Sequence, residues 1–120
     1  MRLEIETVAQ GEVTVVRCRG RLVYGAEADA LRERVNAVIQ QTPRIVFHLA
    51  DVSHMDSGGI GRVVGMLLSA RRAGGDIKLC TLSPHVRHVL EITGLLTVFE
   101  VFATEPEAVR AFTAGAKVSA

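Results

Sequence analysis

The sequence predicts a single α/β domain: a mixed, mostly parallel β-sheet of about five strands, opened by an antiparallel hairpin and packed with about four α-helices. Three observations carry that expectation. From residue 44 onward, short apolar β-branched runs alternate with segments of helical periodicity, strand then helix three times over. The connections between them are short, so right-handed crossovers make those strands parallel. Ahead of them, two runs of alternating apolar and polar residues flank Gln10-Gly11-Glu12, the pattern of a hairpin.

Taken in order, "LEIETV" and "EVTVVRCRG" are the hairpin strands. Residues 26 to 41 carry Ala28, Leu31, Val35, Val38 and Ile39 at helical spacing, and Thr42-Pro43 stops them. "RIVFHLA" (44 to 50) is short and nearly all apolar, as a central strand buried on both faces requires. A helix over 57 to 73 ends at Gly74-Gly75, and "DIKLCTL" is the next strand. Ser83-Pro84 opens a helix with a capping hydroxyl and a first-turn proline, and Gly94 closes it. "TVFEVF" is the last strand. Thr104-Glu105-Pro106-Glu107 then supplies a capping box for a final short helix, with residues 115–120 expected to fray.

A chain of 120 residues is one domain, 1–120, able to bury roughly 65% of its unfolded surface. Aliphatic residues dominate, with four Phe, one Tyr and no Trp, so the core is Val/Leu/Ile packing. Fourteen basic and thirteen acidic side chains leave a net charge of +1, which gives no electrostatic case for nucleic acid or an anionic membrane. Glu4 and Glu6 interrupt any signal-peptide run, and no apolar stretch is long enough to span a bilayer. Cys18 and Cys80 read as buried, reduced thiols of a cytoplasmic protein.

The chemistry gathers at "VSHMDSGGIGRVVGMLLSARR", residues 52 to 72. Ile60, Val63, Val64, Leu67 and Leu68 form a stripe expected to face the sheet. Gly58, Gly61, Arg62, Gly65, Ser69 and Arg72 then fall on the opposite side. Three glycines on an exposed helix face sacrifice roughly 1 kcal/mol of helix propensity each, and close approach of another surface is the compensation they suggest. Capping by Asp56 or Ser57 alone does not account for them. Enzyme motifs fit poorly. Met55 stands where a lipase-type nucleophile elbow needs glycine, no lysine follows the glycines as a phosphate loop demands, and Val64 occupies the third glycine's place in a dinucleotide fingerprint. No catalytic residue, metal or cofactor is expected.

"HLADVSHMDSGGIGRVV", with Gly20, Gly74-Gly75 and "LSPHVRHVLEITGLL" (82 to 96), resembles STAS domains of the anti-sigma factor antagonist type over almost the whole chain. The resemblance implies a small switch protein. The serine after the Asp, here Ser57 after Asp56, is the residue that an anti-sigma factor serine kinase of the GHKL ATPase fold phosphorylates in that family. The unphosphorylated form binds the kinase and releases its sigma factor; a PP2C-type phosphatase resets the modified form. The contact surface implied here is Asp56, Ser57, Gly58, Gly59, Gly61, Arg62 and Gly65. A phosphate brings about −1.5 to −2 charge to a helix N-terminus that tolerates it, while any tight interface would have to desolvate that dianion. Two departures stand out. Val23 occupies the place of an Asp found in many relatives, and Gly58 that of a second loop serine.

Two other functions stay open at this level: a structural STAS module of a stressosome-like or lipid-transport assembly that is never phosphorylated, and nucleotide binding at the glycine-rich helix start. His85 and His88 have a metal-ligand spacing on one helix face, but without an identifiable third ligand they read as solvent-facing. His48 is expected as a hydrogen-bonded core residue, and His54 lies near the loop. Arg17, Arg19 and Arg21 share a strand face, read as the polar outer side of the sheet.

Overall fold

A computed structural model describes the backbone of residues 3–119 and the side chains of residues 3–113. Its elements are β1 (Glu4–Gln10), β2 (Val13–Leu22), α1 (Ala26–Ile39), β3 (Arg44–Met55), α2 (Ser57–Arg72), β4 (Asp76–Cys80), α3 (Pro84–Ile92), β5 (Val101–Phe102) and α4 (Glu105–Ser119), with a 3-10 turn at Leu95–Thr97. The five strands lie in the order β1-β2-β3-β4-β5. β1 and β2 pair antiparallel from Glu4 opposite Arg19 to Gln10 opposite Val13, and every other neighbouring pair is parallel. The expected architecture holds.

The helices divide unequally between the faces. Ala28, Leu31 and Val35 of α1, Val63, Met66 and Leu67 of α2, and Val86 and Leu90 of α3 pack with Ile45, Phe47 and Leu49 of β3 on one side. On the other, α4 alone covers Val13, Val15, Val46 and Cys80 with Ala108, Val109 and Phe112. β3 is thus buried on both faces through its first half, as its unbroken apolar run requires. Arg17 ties β2 to α4: its Nε and Nη2 donate to the two carboxylate oxygens of Glu105 at 2.9 and 2.8 Å. The guanidinium holds the Glu105 carboxyl below the usual carboxylate range. Cys18 and Cys80 are free and buried in the two opposite cores, and burial pushes the Cys18 thiol up to about 12.

Several expectations need correction. β3 continues to Met55 instead of ending at 50, because Asp51, Val52, His54 and Met55 still pair with β2 through two register shifts. β5 is only Val101–Phe102: Leu95–Thr97 turns as a 3-10 helix and β4 offers this edge only Leu79 and Cys80. The last helix is longer than expected: α4 takes in residues 115–119, where fraying was expected, and residue 120 lies outside the described residues. His48 is half-buried, not a core residue, and lines a cleft of about 260 Å³ with Glu6, Arg17, Arg19 and Asp51 on the sheet face that α4 leaves uncovered. Those charges pair with one another, Arg17 with Glu6 at 3.1 Å and Arg19 with Glu4 and Asp51 at 4.0 Å, so that face is the polar outer surface expected.

The largest correction concerns the roll of α2. Its buried residues are Gly59, Val63, Met66, Leu67 and Ala70, whereas Leu68, assigned to the inner stripe, is 47% exposed. At 100° per residue the helix is turned by roughly 80° from the expected orientation. The reason is close approach. A Cβ placed on Gly59 would lie 2.0 Å from the Leu22 carbonyl oxygen, so the helix backbone seats directly on β2 over its small residues. A stripe read from large apolar side chains alone gives Gly59 and Ala70 no weight.

Candidate functional site

Asp56 is the N-cap of α2, extended at φ −110° and ψ −177°, and its Oδ1 accepts the Gly59 N–H at 2.9 Å. The same carboxylate reaches across to the β2–α1 connection, where the Tyr24 N–H donates to both its oxygens at 2.9 and 3.1 Å. Those donors, the Gly59 N–H foremost, hold the Asp56 carboxyl below the usual carboxylate range. One charge therefore caps the helix and clamps a loop 32 residues away in sequence. The pairing of Leu22 with Met55 at the ends of β2 and β3 brings the two together.

Ser57 occupies the first helical position and is exposed. Its hydroxyl makes no hydrogen bond among the described residues. Gly61 and Gly65 follow toward solvent with open space where a Cβ would stand. Leu68, one of the exposed large apolar side chains, extends the same line. The outward stripe is thus Ser57, Gly61 and Leu68, flanked by Val64 and Gly65.

The remaining residues expected to meet a partner are turned inward. Gly59 is buried on Leu22, and a Cβ on Gly58 would sit 2.5 Å from the Tyr24 Cβ. Arg62 faces α1: its Nε and Nη2 approach Asp29 Oδ1 at 2.9 and 2.8 Å, and its side chain is 21% exposed. These three build the loop. Ser57, Gly61 and Gly65 are the ones a partner can touch, with Asp56 exposed but its carboxylate committed to backbone donors.

Sequence reasoning missed Tyr24. It is 72% exposed, its ring centroid lies 5.1 Å from the Arg62 guanidinium carbon, and its N–H is the one that Asp56 clamps. The available signal was compositional: the chain's single tyrosine stands in a loop between Val23 and Gly25. Among the described residues no helix is long and apolar enough to cross a membrane.

Comparison with known proteins places this geometry in context. The STAS domain family model matches residues 4–108. An anti-sigma F factor antagonist from Paenibacillus polymyxa is 30% identical over 110 residues, covering 90% of this chain and 93% of that protein. The anti-sigma factor antagonist SpoIIAA in its unphosphorylated form superposes with a TM-score of 0.78 at 27% identity, over 93% of this chain and 96% of that one. The phosphorylated form of the Bacillus protein SpoIIAA gives a TM-score of 0.71 at 27% identity, over 92% and 98% of the two chains.

Proposed function

Because the chain belongs to the STAS domain family, we propose that it is an anti-sigma factor antagonist whose Ser57 hydroxyl is the switch in a partner-switching pathway. Unmodified, it docks through Ser57, Gly61, Gly65 and Leu68 on a GHKL-type serine kinase that acts as an anti-sigma factor. Docking releases that kinase's sigma factor or other target. Phosphorylation of Ser57 by the kinase blocks docking, and a PP2C-type phosphatase restores it. The domain itself catalyses nothing in this scheme.

The observation that carries the reading is the Ser57 hydroxyl: exposed, without an internal partner, on a helix start already fixed by Asp56. SpoIIAA, solved in unphosphorylated and phosphorylated forms, shares this fold in both. A phosphate dianion beside Asp56 would have to be desolvated in any interface. Together with like-charge repulsion, that costs several kcal/mol, so affinity falls by orders of magnitude.

The test is calorimetric titration of the cognate kinase. Ser57→Asp should bind at least roughly tenfold more weakly than wild type, since one added charge meets a fraction of the dianion's penalty. Ser57→Ala should bind like wild type and accept no phosphate from ATP. Equal affinity for Ser57→Asp and wild type refutes the electrostatic switch. Mass spectrometry of protein from its native cells provides the second arm: Ser57 unmodified under every growth condition favours a structural interaction module.

A further inference from the structure

We infer that His54 and His85 form a two-imidazole site for a divalent cation of the zinc class, joining the end of β3 to the first turn of α3. The two rings lie with centroids 5.5 Å apart and planes tilted by 51°. A zinc ion sits about 2.0–2.1 Å from a ligating nitrogen, hence about 3.2 Å from the ring centroid, and two imidazoles at a tetrahedral angle then have centroids about 5.2 Å apart. The observed separation corresponds to an opening angle of about 120°, close in distance to that geometry, and both side chains are exposed.

The protonation pattern around His54 favours a ligand. The Ser53 hydroxyl donates to the Gly20 carbonyl oxygen at 3.3 Å, an atom that can only accept. Ser53 Oγ, 3.0 Å from His54 Nδ1, can then accept a proton from that nitrogen. In that tautomer the proton of the neutral ring is on Nδ1 and the free lone pair on Nε2. A ligating histidine is oriented in this way when its second nitrogen donates to a neighbouring oxygen. His85 makes no hydrogen bond among the described residues and is exposed, so its lone pair is also available. Asp51 also lines the cleft of about 350 Å³ that holds His85. His88, the neighbour that helical spacing assigns to His85, makes no ring contact with it.

No group of three His, Cys, Asp or Glu side chains suited to a metal occurs among the described residues. The protein therefore supplies two ligands, and the other tetrahedral positions fall to water or to an approaching partner. Imidazole pairs suit Zn²⁺, Ni²⁺ and Cu²⁺ and not the hard cations, so Mg²⁺ should not compete.

The test is calorimetric titration of zinc chloride into the full chain, repeated with His54→Ala, His85→Ala, His88→Ala and Ser53→Ala. We expect one equivalent to bind. Either His54→Ala or His85→Ala should weaken binding at least about tenfold, and Ser53→Ala about tenfold by releasing the ring. His88→Ala should stay within about twofold of wild type, as an independent site. Electron paramagnetic resonance of the Cu²⁺-loaded chain should show two imidazole nitrogens. No uptake of Zn²⁺ up to millimolar concentration would mean the two rings simply pack together, overturning the site. Equal affinity of wild type and His54→Ala, or a single imidazole nitrogen on Cu²⁺, overturns it as well.

Discussion

Gly59 and Gly61 sit two residues apart in the same helix, and replacing each by alanine should move stability in opposite directions. Both substitutions gain about 1 kcal/mol of helix propensity. At Gly61 the added Cβ meets open space, so Gly61→Ala should stabilise the fold by about 0.5–1 kcal/mol. At Gly59 the Cβ would lie 2.0 Å from the Leu22 carbonyl oxygen and 2.8 Å from its carbonyl carbon. Carbon and oxygen rest no closer than about 3.3 Å, so helix and strand must part by about 1.3 Å. Leu22 is fully buried and paired with Met55, so it has no room to yield. Overpacking of this kind costs about 1–3 kcal/mol, and withdrawing the first turn from the Asp56 cap costs about 1 more. The net expectation for Gly59→Ala is a loss of roughly 1–3 kcal/mol. In thermal unfolding followed by circular dichroism, its midpoint should fall by about 4–12 °C while that of Gly61→Ala rises by about 2–4 °C. Equal midpoints for the two variants would refute the close seating of α2 on β2. On the proposed function, Gly61→Ala should also bind its partner more weakly while being the more stable protein, because the new methyl lies in the contact.

Three further outcomes follow from named contacts. The Asp56 carboxyl has a lower pKa folded than unfolded, so its contribution is complete above about pH 4 and disappears as pH falls through the folded value. Urea titrations at pH 7 and pH 3 should therefore find Asp56→Asn less stable than wild type by about 0.5–1 kcal/mol at pH 7, through the lost charge at the helix start, with a smaller gap at pH 3. Glu105→Gln removes the charge from the bidentate pair with Arg17 and should cost about 1 kcal/mol, seen in hydrogen exchange as faster opening of α4 while α1 and α2 stay protected. Cys18 and Cys80 should be inert to a disulfide reagent at pH 8 in the folded protein and react fully in denaturant; rapid native-state reaction would contradict their burial.

Most of the fold was legible because its signals are local. The run at 44–50, the turn at Gln10-Gly11-Glu12 and the Ser83-Pro84 helix start each encode their element in a few adjacent residues. The extension of β3 was not, because Asp51, Ser53 and His54 break the apolar pattern and only the neighbouring β2 keeps them in the sheet. β5 failed in the other direction, since "TVFEVF" has strand composition but little of β4 beside it to pair with. At the site, Asp56 could be read from capping chemistry, and Ser57 from the resemblance its loop carries. Tyr24 could not, as it arrives through strand pairing. The roll of α2 was misread because burial there is set by which backbone can approach β2, and that is decided by the absence of a side chain at Gly59.

The same close approach bears on how a modification of Ser57 would act. The donor that a phosphate at this helix start would seek, the Gly59 N–H, is already given to the Asp56 carboxylate at 2.9 Å. Ile60 is likewise committed, its N–H donating to the Asp56 carbonyl oxygen at 2.9 Å. To gain the Gly59 N–H a phosphate would have to displace the Asp56 carboxylate, which would also free the Tyr24 N–H and the loop behind it. Two anions competing for one set of donors leaves the displaced one unpaired, so the cheaper arrangement keeps Asp56 in place and the phosphate in solvent. On the proposed reading the switch therefore alters what the stripe of Ser57, Gly61 and Leu68 presents, and leaves the scaffold beneath it unchanged.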